Sequence, residues 1–171
     1  LADVTEMGGF KNRVMRIAFN PARPEEMFAA LEVRGVIRST DGGETWSVAK
    51  TPIRNDSANA GVFSIAFADN GRGVAVGGDY SKAGDATSTG AISQDAGKSW
   101  SAISLPGYRS AVAYSPSLGL WIAAGISGSE VSNDGKDWRP ISSTAINAIS
   151  FSGSAGWAVG PAGFVGAFRL K

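Results

Sequence analysis

A turn motif that ends in tryptophan recurs three times along the chain and constrains the fold more than any other feature. The motif Ser-x-Asp-x-Gly-x-Thr/Ser-Trp occupies residues 39–46 and 93–100, and a copy one residue shorter occupies residues 132–138. An aspartate at the start of a tight turn accepts hydrogen bonds from nearby backbone N–H groups, and a glycine tolerates the positive φ that closes the turn. The tryptophan supplies apolar surface to pack on a neighbouring sheet. We therefore assign a structural role to the motif residues Asp41, Gly43, Trp46, Asp95, Gly97, Trp100, Asp134 and Trp138.

Each copy of the motif belongs to a longer repeat of short apolar strands. A strand with a small or polar residue followed by an aromatic one occurs at residues 17–19, 65–67, 112–114 and 149–151. A second apolar strand follows each of them, and in the first three units a third strand enters the motif and a fourth leaves through the tryptophan. Units of roughly 40 to 50 residues with four short strands are typical of propeller blades. Because no amphipathic helical pattern is present, the sequence predicts an all-β fold, a β-propeller of about four four-stranded blades.

The repeats indicate a single propeller domain over residues 1–171, with blades at about 10–50, 61–104, 107–142 and 145–171. The last unit has neither a turn motif nor a fourth strand. We expect the N-terminal residues 1–9 to complete it, because ring closure would remove open sheet edges. A frayed terminus is one alternative, and a homodimer that forms a larger ring is another.

Composition excludes several classes of function. The chain has 16 Lys+Arg and 15 Asp+Glu, and this net charge of +1 gives no electrostatic basis for binding nucleic acid. Without cysteine or histidine, the chain lacks thiol nucleophiles, the usual general base and the commonest transition-metal ligand. No apolar run reaches the length that spans a membrane. We therefore predict no cofactor, no metal, no nucleic-acid partner and no membrane insertion.

The localisation is left open by the sequence. The N-terminus has neither the basic region nor the apolar core of a signal peptide. The absence of cysteine removes disulfides as an indicator of redox compartment. Export to the periplasm with removal of a signal is one alternative.

The turn motif resembles the Asp box of the BNR (bacterial neuraminidase repeat) families, which occurs in β-propellers. In addition, residues 61–67, 73–80, 107–112 and 156–160 are similar to the C-terminal blades of propellers related to the photosystem II stability and assembly factor, often labelled oxidoreductase-like. This resemblance implies a scaffold that binds a protein partner, as an assembly factor does. Residues 10–38 are more similar to a blade of a different Asp-box propeller, so a natural short version, a fragment and an engineered join all stay open.

A sialidase-like glycosidase is the main alternative function, since sialidases also carry Asp boxes. Such a site needs an arginine triplet, a tyrosine nucleophile with a glutamate, and an acid/base aspartate, and the arginines of this chain do not fall at equivalent blade positions. The loop carboxylates Asp56, Asp79 and Asp85 are predicted to share one face, which leaves a two-carboxylate hydrolase or a carbohydrate-binding site open. We assign no catalytic residue and do not expect enzyme activity.

Two insertions place the candidate binding residues on loops. Residues 51–61 link the first blade to the second, and residues 79–90 separate two strands of the second blade. In propellers both kinds of loop open on one face, opposite the turn motifs, and loops on a rigid frame commonly carry function. Tyrosine and arginine are enriched at interface hot spots. We therefore predict that a protein or peptide partner binds at Arg54, Asp79, Tyr80, Lys82, Tyr108 and Arg109. For Tyr108 and Arg109, packing at the ring centre is the alternative.

Overall fold

Short antiparallel strands make up almost the whole fold. The computed structural model describes residues 6–7, 10–11, 13–33 and 35–168. In chain order the strands are β1 (Glu6–Met7), β2 (Phe10–Lys11), β3 (Val14–Asn20), β4 (Arg23–Leu31), β5 (Gly35–Ser39), β6 (Ser47–Ala49), β7 (Ala60–Phe67), β8 (Gly73–Asp79), β9 (Gly90–Ser93), β10 (Ser101–Ile103), β11 (Ala111–Ser115), β12 (Leu120–Gly125), β13 (Gly128–Ser132), β14 (Arg139–Ser142), β15 (Ala148–Ser152), β16 (Ala155–Val159) and β17 (Val165–Phe168). In this part of the chain the only helices are two three-residue 3₁₀ turns, Tyr80–Lys82 and Pro161–Gly163, and none has the length and apolarity to cross a membrane.

The strands form four consecutive blades, which confirms the predicted β-propeller. Strands β3–β6, β7–β10 and β11–β14 each form a four-stranded sheet, and β15–β17 form a three-stranded sheet. Every sheet pairs its strands antiparallel in chain order, as short hairpin connections require. The first strands of the four blades line a central cavity of about 240 Å³, to which Met15, Ser64, Val112 and Ala148 contribute.

Apolar layers between neighbouring blades form the core. Between the first two blades, Phe28 and Val36 pack against Ile65 and Phe67, and the rings of Phe28 and Phe67 lie 4.5 Å apart. Similar layers separate the second blade from the third and the third from the fourth. Because burial of apolar area is the main favourable term in folding, each blade is stabilised largely by its neighbours.

The second turn motif shows how the aspartate and the first serine close the turn. Asp95 accepts hydrogen bonds from the backbone N–H and the hydroxyl of Ser99, at 2.9 and 2.6 Å. The backbone N–H of Gly97 donates to the Ser93 hydroxyl at 2.7 Å. The indole N–H of Trp100 donates to the carbonyl of Gly97 at 3.2 Å. All of these bonds are local, so the motif specifies its own conformation.

The other two copies form equivalent turns. Asp41 accepts from the backbone N–H of Thr45 at 3.0 Å, and Asp134 accepts from the backbone N–H groups of Lys136 and Asp137 at 2.8 and 3.0 Å. The shorter third copy keeps the geometry because Gly135 has a φ of +75°. The indole N–H of Trp138 donates to the carbonyl of this glycine at 3.2 Å.

Replacing Asp95 with asparagine is expected to make the free energy of unfolding less dependent on pH in the acid range. Desolvation tends to raise the pKa of Asp95, but hydrogen bonds from Ser99 and Ser93 outweigh it and lower the pKa from 3.8 to about 2. A folded-state pKa below the unfolded value gives stability that is present above about pH 4 and lost as the pH falls towards about 2. The natural protein should therefore have a higher urea midpoint than D95N at neutral pH, and the difference between the two midpoints should decrease as the pH falls from about 4 to about 2. A difference that does not vary with pH would contradict the assignment.

The N-terminal strand does not complete the fourth blade in the described residues. Glu6–Met7 pairs with Phe10–Lys11 in a separate two-stranded sheet, and residues 1–5, 8 and 9 of the predicted closing segment lie outside the described residues. In the described part of the chain, the fourth blade also lacks the extensive packing on the first blade that joins all other neighbours.

Candidate functional site

The two insertions meet on one face of the propeller, opposite the turn motifs. Arg54, in the link between the first two blades, forms an ion pair with Asp85 of the second insertion at 2.5 Å. The backbone N–H of Arg54 also donates to the carbonyl of Ser88 at 3.0 Å. A second ion pair joins Arg54 to the more exposed Asp56 at 3.0 Å. Arg54 therefore fastens the two loops to each other, and we call the surface that they form the loop face.

Asp79 shapes the second insertion where β8 ends. Its buried carboxylate accepts the backbone N–H of Ser81 at 2.9 Å and the hydroxyl of Ser81 at 2.6 Å. These bonds cap the short 3₁₀ turn Tyr80–Lys82. The hydroxyl of Ser57, from the first insertion, adds a longer bond of 3.3 Å. Asp79 therefore holds Tyr80 and Lys82 in position on the loop face, while Lys82 itself is exposed.

Three aromatic rings lie together on the loop face. Tyr80 packs edge-on against Phe63 and Tyr108, with ring centroids 6.0 and 6.4 Å apart. Phe63 and Tyr108 pack against each other at 4.9 Å. These two rings are buried, whereas Tyr80 is 40% exposed. The hydroxyl of Tyr80 donates to the side-chain oxygen of Asn59 at 2.7 Å, so the exposed ring is fixed at both of its ends.

The aromatic cluster lies at the central cavity. Phe63 and Tyr108 line the cavity together with the polar side chains of Arg16 and Asn147. Arg16 and Asn147 are exposed, so the cavity combines an apolar wall with groups that can hydrogen-bond. This combination is typical of sites that orient a bound side chain.

Tyr108 is a neutral phenol at physiological pH. Burial raises its pKa well above the ordinary value, and the negative charge of Glu32 raises it further. Glu32 is itself held by Arg13, whose Nε donates to the carboxylate at 2.5 Å. A tyrosine nucleophile needs an ionised or readily ionised hydroxyl. Burial and the charge of Glu32 instead favour the protonated hydroxyl of Tyr108.

Arg109 lies beneath the loop face. Its side chain is almost fully buried, and its Nε donates to the carboxylate of Glu130 at 2.5 Å. Its Nη2 also donates to Glu130, and its Nη1 donates to the carbonyl of Tyr108 at 2.7 Å and to the hydroxyl of Ser127 at 2.9 Å. Arg109 is therefore packed in the interior, and its contribution to partner binding stays a prediction. Glu130 had no distinguishing pattern in the sequence, because only the pairing of strands places it beside Arg109.

The pKa values of the three loop carboxylates are all lowered. Arg54 lowers the pKa of Asp56, and hydrogen bonds from Ser81 lower that of Asp79. Hydrogen bonds from Thr87, and then Arg54, lower the pKa of Asp85 to about 2. A general acid in glycoside hydrolysis needs a raised pKa, so these three groups are suited to holding loops in place.

Comparisons with known proteins agree with the turn motif and the fold. A family model described as "BNR/Asp-box repeat" matches residues 37–48, the first turn motif and the strand that enters it. No curated protein matches the sequence significantly. The chain therefore carries a BNR/Asp-box repeat on a four-bladed β-propeller frame.

Several solved structures are similar in fold. YCF48 bound to D1 peptide is 20% identical with a TM-score of 0.58, over 92% of this chain and 50% of that chain. The GH74 xyloglucanase from Xanthomonas campestris is 16% identical with a TM-score of 0.68, over 91% of this chain and 28% of that chain. The computationally designed Ika4 protein is 13% identical with a TM-score of 0.62, over 97% of this chain and 96% of that chain. The chain thus spans half or less of the two natural proteins, and at these identities the likeness shows the fold alone.

Proposed function

We propose that this propeller with BNR/Asp-box repeats is a non-catalytic scaffold that binds a segment of a protein or peptide partner at the loop face. The observation that carries the proposal is Tyr80, a 40% exposed aromatic ring held by Asn59 and packed on Phe63 and Tyr108. A large side chain that is already ordered loses little conformational entropy on binding. Such residues are typical interface hot spots.

The surroundings of Tyr80 suit a peptide with an apolar or aromatic anchor. The exposed Lys82 and Asp56 place both charge signs on the loop face, so polar groups of either sign along a bound segment can find partners. The central cavity, with Arg16 and Asn147, can receive one side chain of the segment. Tyr80 and Lys82 are the residues proposed to contact the partner, and Arg54, Asp79, Tyr108 and Arg109 to hold them. The structure of YCF48 bound to D1 peptide supports peptide binding as a use of this fold.

A hydrolase is less well supported by the site. GH74 enzymes share the fold, but fold alone does not carry an activity. The loop carboxylates have lowered pKa values, and the pKa of Tyr108 is raised. The lowered pKa values oppose a general-acid role for these carboxylates, and the raised pKa opposes a nucleophilic role for Tyr108. Release of reducing sugar from xyloglucan by the purified protein would overturn the non-catalytic part of the proposal.

The peptide-binding proposal can be tested by panning a phage-displayed library of random peptides against the purified chain. We expect selected peptides to be enriched in aromatic or large apolar residues. Substitution Tyr80→Ala should weaken the best peptide by roughly tenfold or more, because loss of a hot-spot side chain costs about 2 kcal/mol or more and about 1.4 kcal/mol is tenfold in affinity.

Two variants control this experiment. Lys98→Ala lies on the turn-motif face and should leave peptide affinity unchanged, whereas Lys82→Ala should reduce it. Affinity measured by isothermal titration calorimetry gives the comparison. If Y80A binds the selected peptides as tightly as the natural chain, Tyr80 is not the anchor and the loop face is not the site.

A further inference from the structure

The first and fourth blades expose the kind of surface that is buried between all other blades. On the first blade, Ile17 and Phe19 are 50% and 54% exposed, whereas the equivalent Ile65 and Phe67 of the second blade are 1% and 8% exposed. On the fourth blade, strands β16 and β17 carry the exposed apolar side chains of Trp157, Val159 and Val165. Each end of the blade series therefore presents an apolar face in water. Faces of this kind mark interaction sites more often than isolated apolar residues do.

Strand register shows that Trp157 occupies a defined position in the repeat. In the first, second and fourth blades, one residue of the second strand pairs with the residue just before the aromatic one on the first strand. The pairs are Phe28 with Ala18, Val74 with Ala66 and Trp157 with Ser150. Phe28 and Val74 are fully buried, and Trp157 is 48% exposed. Phe28 and Val74 pack against the next blade along the chain, and Trp157 occupies the same position on the last blade.

The turn-motif glycine of the next blade packs at this position. A Cβ added to Gly97 would lie 2.3 Å from the ring of Phe28, and one added to Gly135 would lie 2.9 Å from Val74. Each glycine therefore fits closely against the preceding blade. Gly43, the glycine of the first motif, is near only Met27 and Trp46 of its own blade among its closest neighbours. The first blade thus carries the glycine side of this blade-to-blade contact, and the fourth blade carries the side that receives a glycine.

We propose that two copies of this chain form one closed ring, in which the fourth blade of each copy packs on the first blade of the other. A second copy is the occupant that fits both faces, because Trp157 presents the surface that receives a turn-motif glycine and Gly43 presents such a glycine. A contact between unlike faces forms a ring when the rotation closes, and here both junctions are identical. The central cavity is then enclosed by both copies, and each loop face occurs twice around one axis.

The first test is the mass in solution, measured by light scattering after size exclusion over a range of concentrations. The proposal predicts a particle of twice the chain mass of 17.6 kDa. Substitution Trp157→Arg should shift it to the mass of one chain, since a charged side chain cannot be buried in the junction. The matched control Ile126→Arg changes a side chain that is 44% exposed on the turn between β12 and β13, and should leave the particle doubled.

A second test does not depend on weakening the junction. The chain has no cysteine, so a pair can be introduced at Ile17 and Ala148. These positions are equivalent to Val112 and Ser64, where the backbone N–H of Val112 donates to the Ser64 hydroxyl at 3.1 Å across a blade junction. Mild oxidation of I17C/A148C should therefore give a covalent dimer with both disulfides between chains.

Three outcomes would overturn the proposal. A single-chain mass at every concentration would show that the exposed faces do not bind a second copy. Loss of free thiols within a single chain would show that the four blades close on themselves. Particles that grow beyond two chains would show that the junction forms without closing a ring. A doubled natural protein, a single-chain W157R with unchanged circular dichroism and an interchain disulfide would together support it.

Discussion

Replacing Arg109 with alanine is expected to lower the free energy of unfolding by about 3 to 5 kcal/mol, the usual cost of breaking a buried ion pair. The side chains of Arg109 and Glu130 are 2% and 5% exposed. Removing the guanidinium leaves the Glu130 carboxylate buried without its cation, and also leaves the carbonyl of Tyr108 and the hydroxyl of Ser127 without a donor. Equilibrium unfolding in urea, followed by tryptophan fluorescence, measures the change.

Two further variants separate the ion pair from general effects of truncation. Asp56→Ala removes a partner that is 64% exposed in its pair with Arg54, and such surface pairs contribute only about 0 to 1 kcal/mol. The double variant R109M/E130L removes both charges, and buried pairs replaced in this way are often neutral in stability. A double variant as unstable as R109A would show that packing around Arg109, and not the uncompensated charge, sets the cost.

The turn motifs were predictable because all of their interactions are local. Ser93, Asp95, Gly97 and Ser99 bond to one another within seven residues, so the residue types alone specify the turn. The strand pattern was predictable for a similar reason. A small or polar residue followed by an aromatic one marks the first strand of every blade, and the short second strand follows within one hairpin. Fold class and blade order follow from these repeats.

The environment of Arg109 was not predictable, because it depends on which strands pair. Glu130 is 21 residues away in sequence, on the third strand of the same blade. Nothing in the sequence around either residue distinguishes a buried ion pair from two exposed charges. The same applies to Tyr108, whose burial against Phe63 follows from the meeting of two blades. For Tyr80 the loop position was predictable from the sequence, but the hydroxyl bond to Asn59 that holds the ring was not.

Local sequence patterns also do not predict whether the first blade contacts the last. The sequence indicated four units but not whether the first packs on the last, since that depends on the angle between successive blades. The N-terminal segment alternates like a strand, yet Glu6–Met7 pairs with the adjacent Phe10–Lys11. A hairpin partner close in sequence costs less loop-closure entropy than a strand at the far end of the chain. The exposure of Ile17 and Trp157 depends on how all four blades are arranged, and not on the sequence around either residue.

Gly97→Ala is the second substitution with a large expected effect, about 2 to 5 kcal/mol of destabilisation. Two costs combine at this position. Its φ of +76° penalises an L-residue by about 1 to 2 kcal/mol, and the new Cβ would lie 2.3 Å from the ring of Phe28, so that overpacking adds about 1 to 3 kcal/mol. Because Phe28 packs on Phe67 at 4.5 Å, the ring cannot move away without disturbing the layer between the first two blades.

Gly42→Ala is the matched control for this prediction. Its φ of +72° is almost the same, but nothing lies within 4 Å of the added Cβ, so only the backbone cost of about 1 to 2 kcal/mol is expected. Gly135→Ala, with Val74 at 2.9 Å from the new Cβ, should fall between the two. Urea unfolding of the three variants gives the order directly. Equal destabilisation by Gly97→Ala and Gly42→Ala would mean that the motif glycines serve only the turn and that blade-to-blade contact at the motif adds nothing. The expected order would instead show that the second and third turn motifs also join their blades to the preceding one.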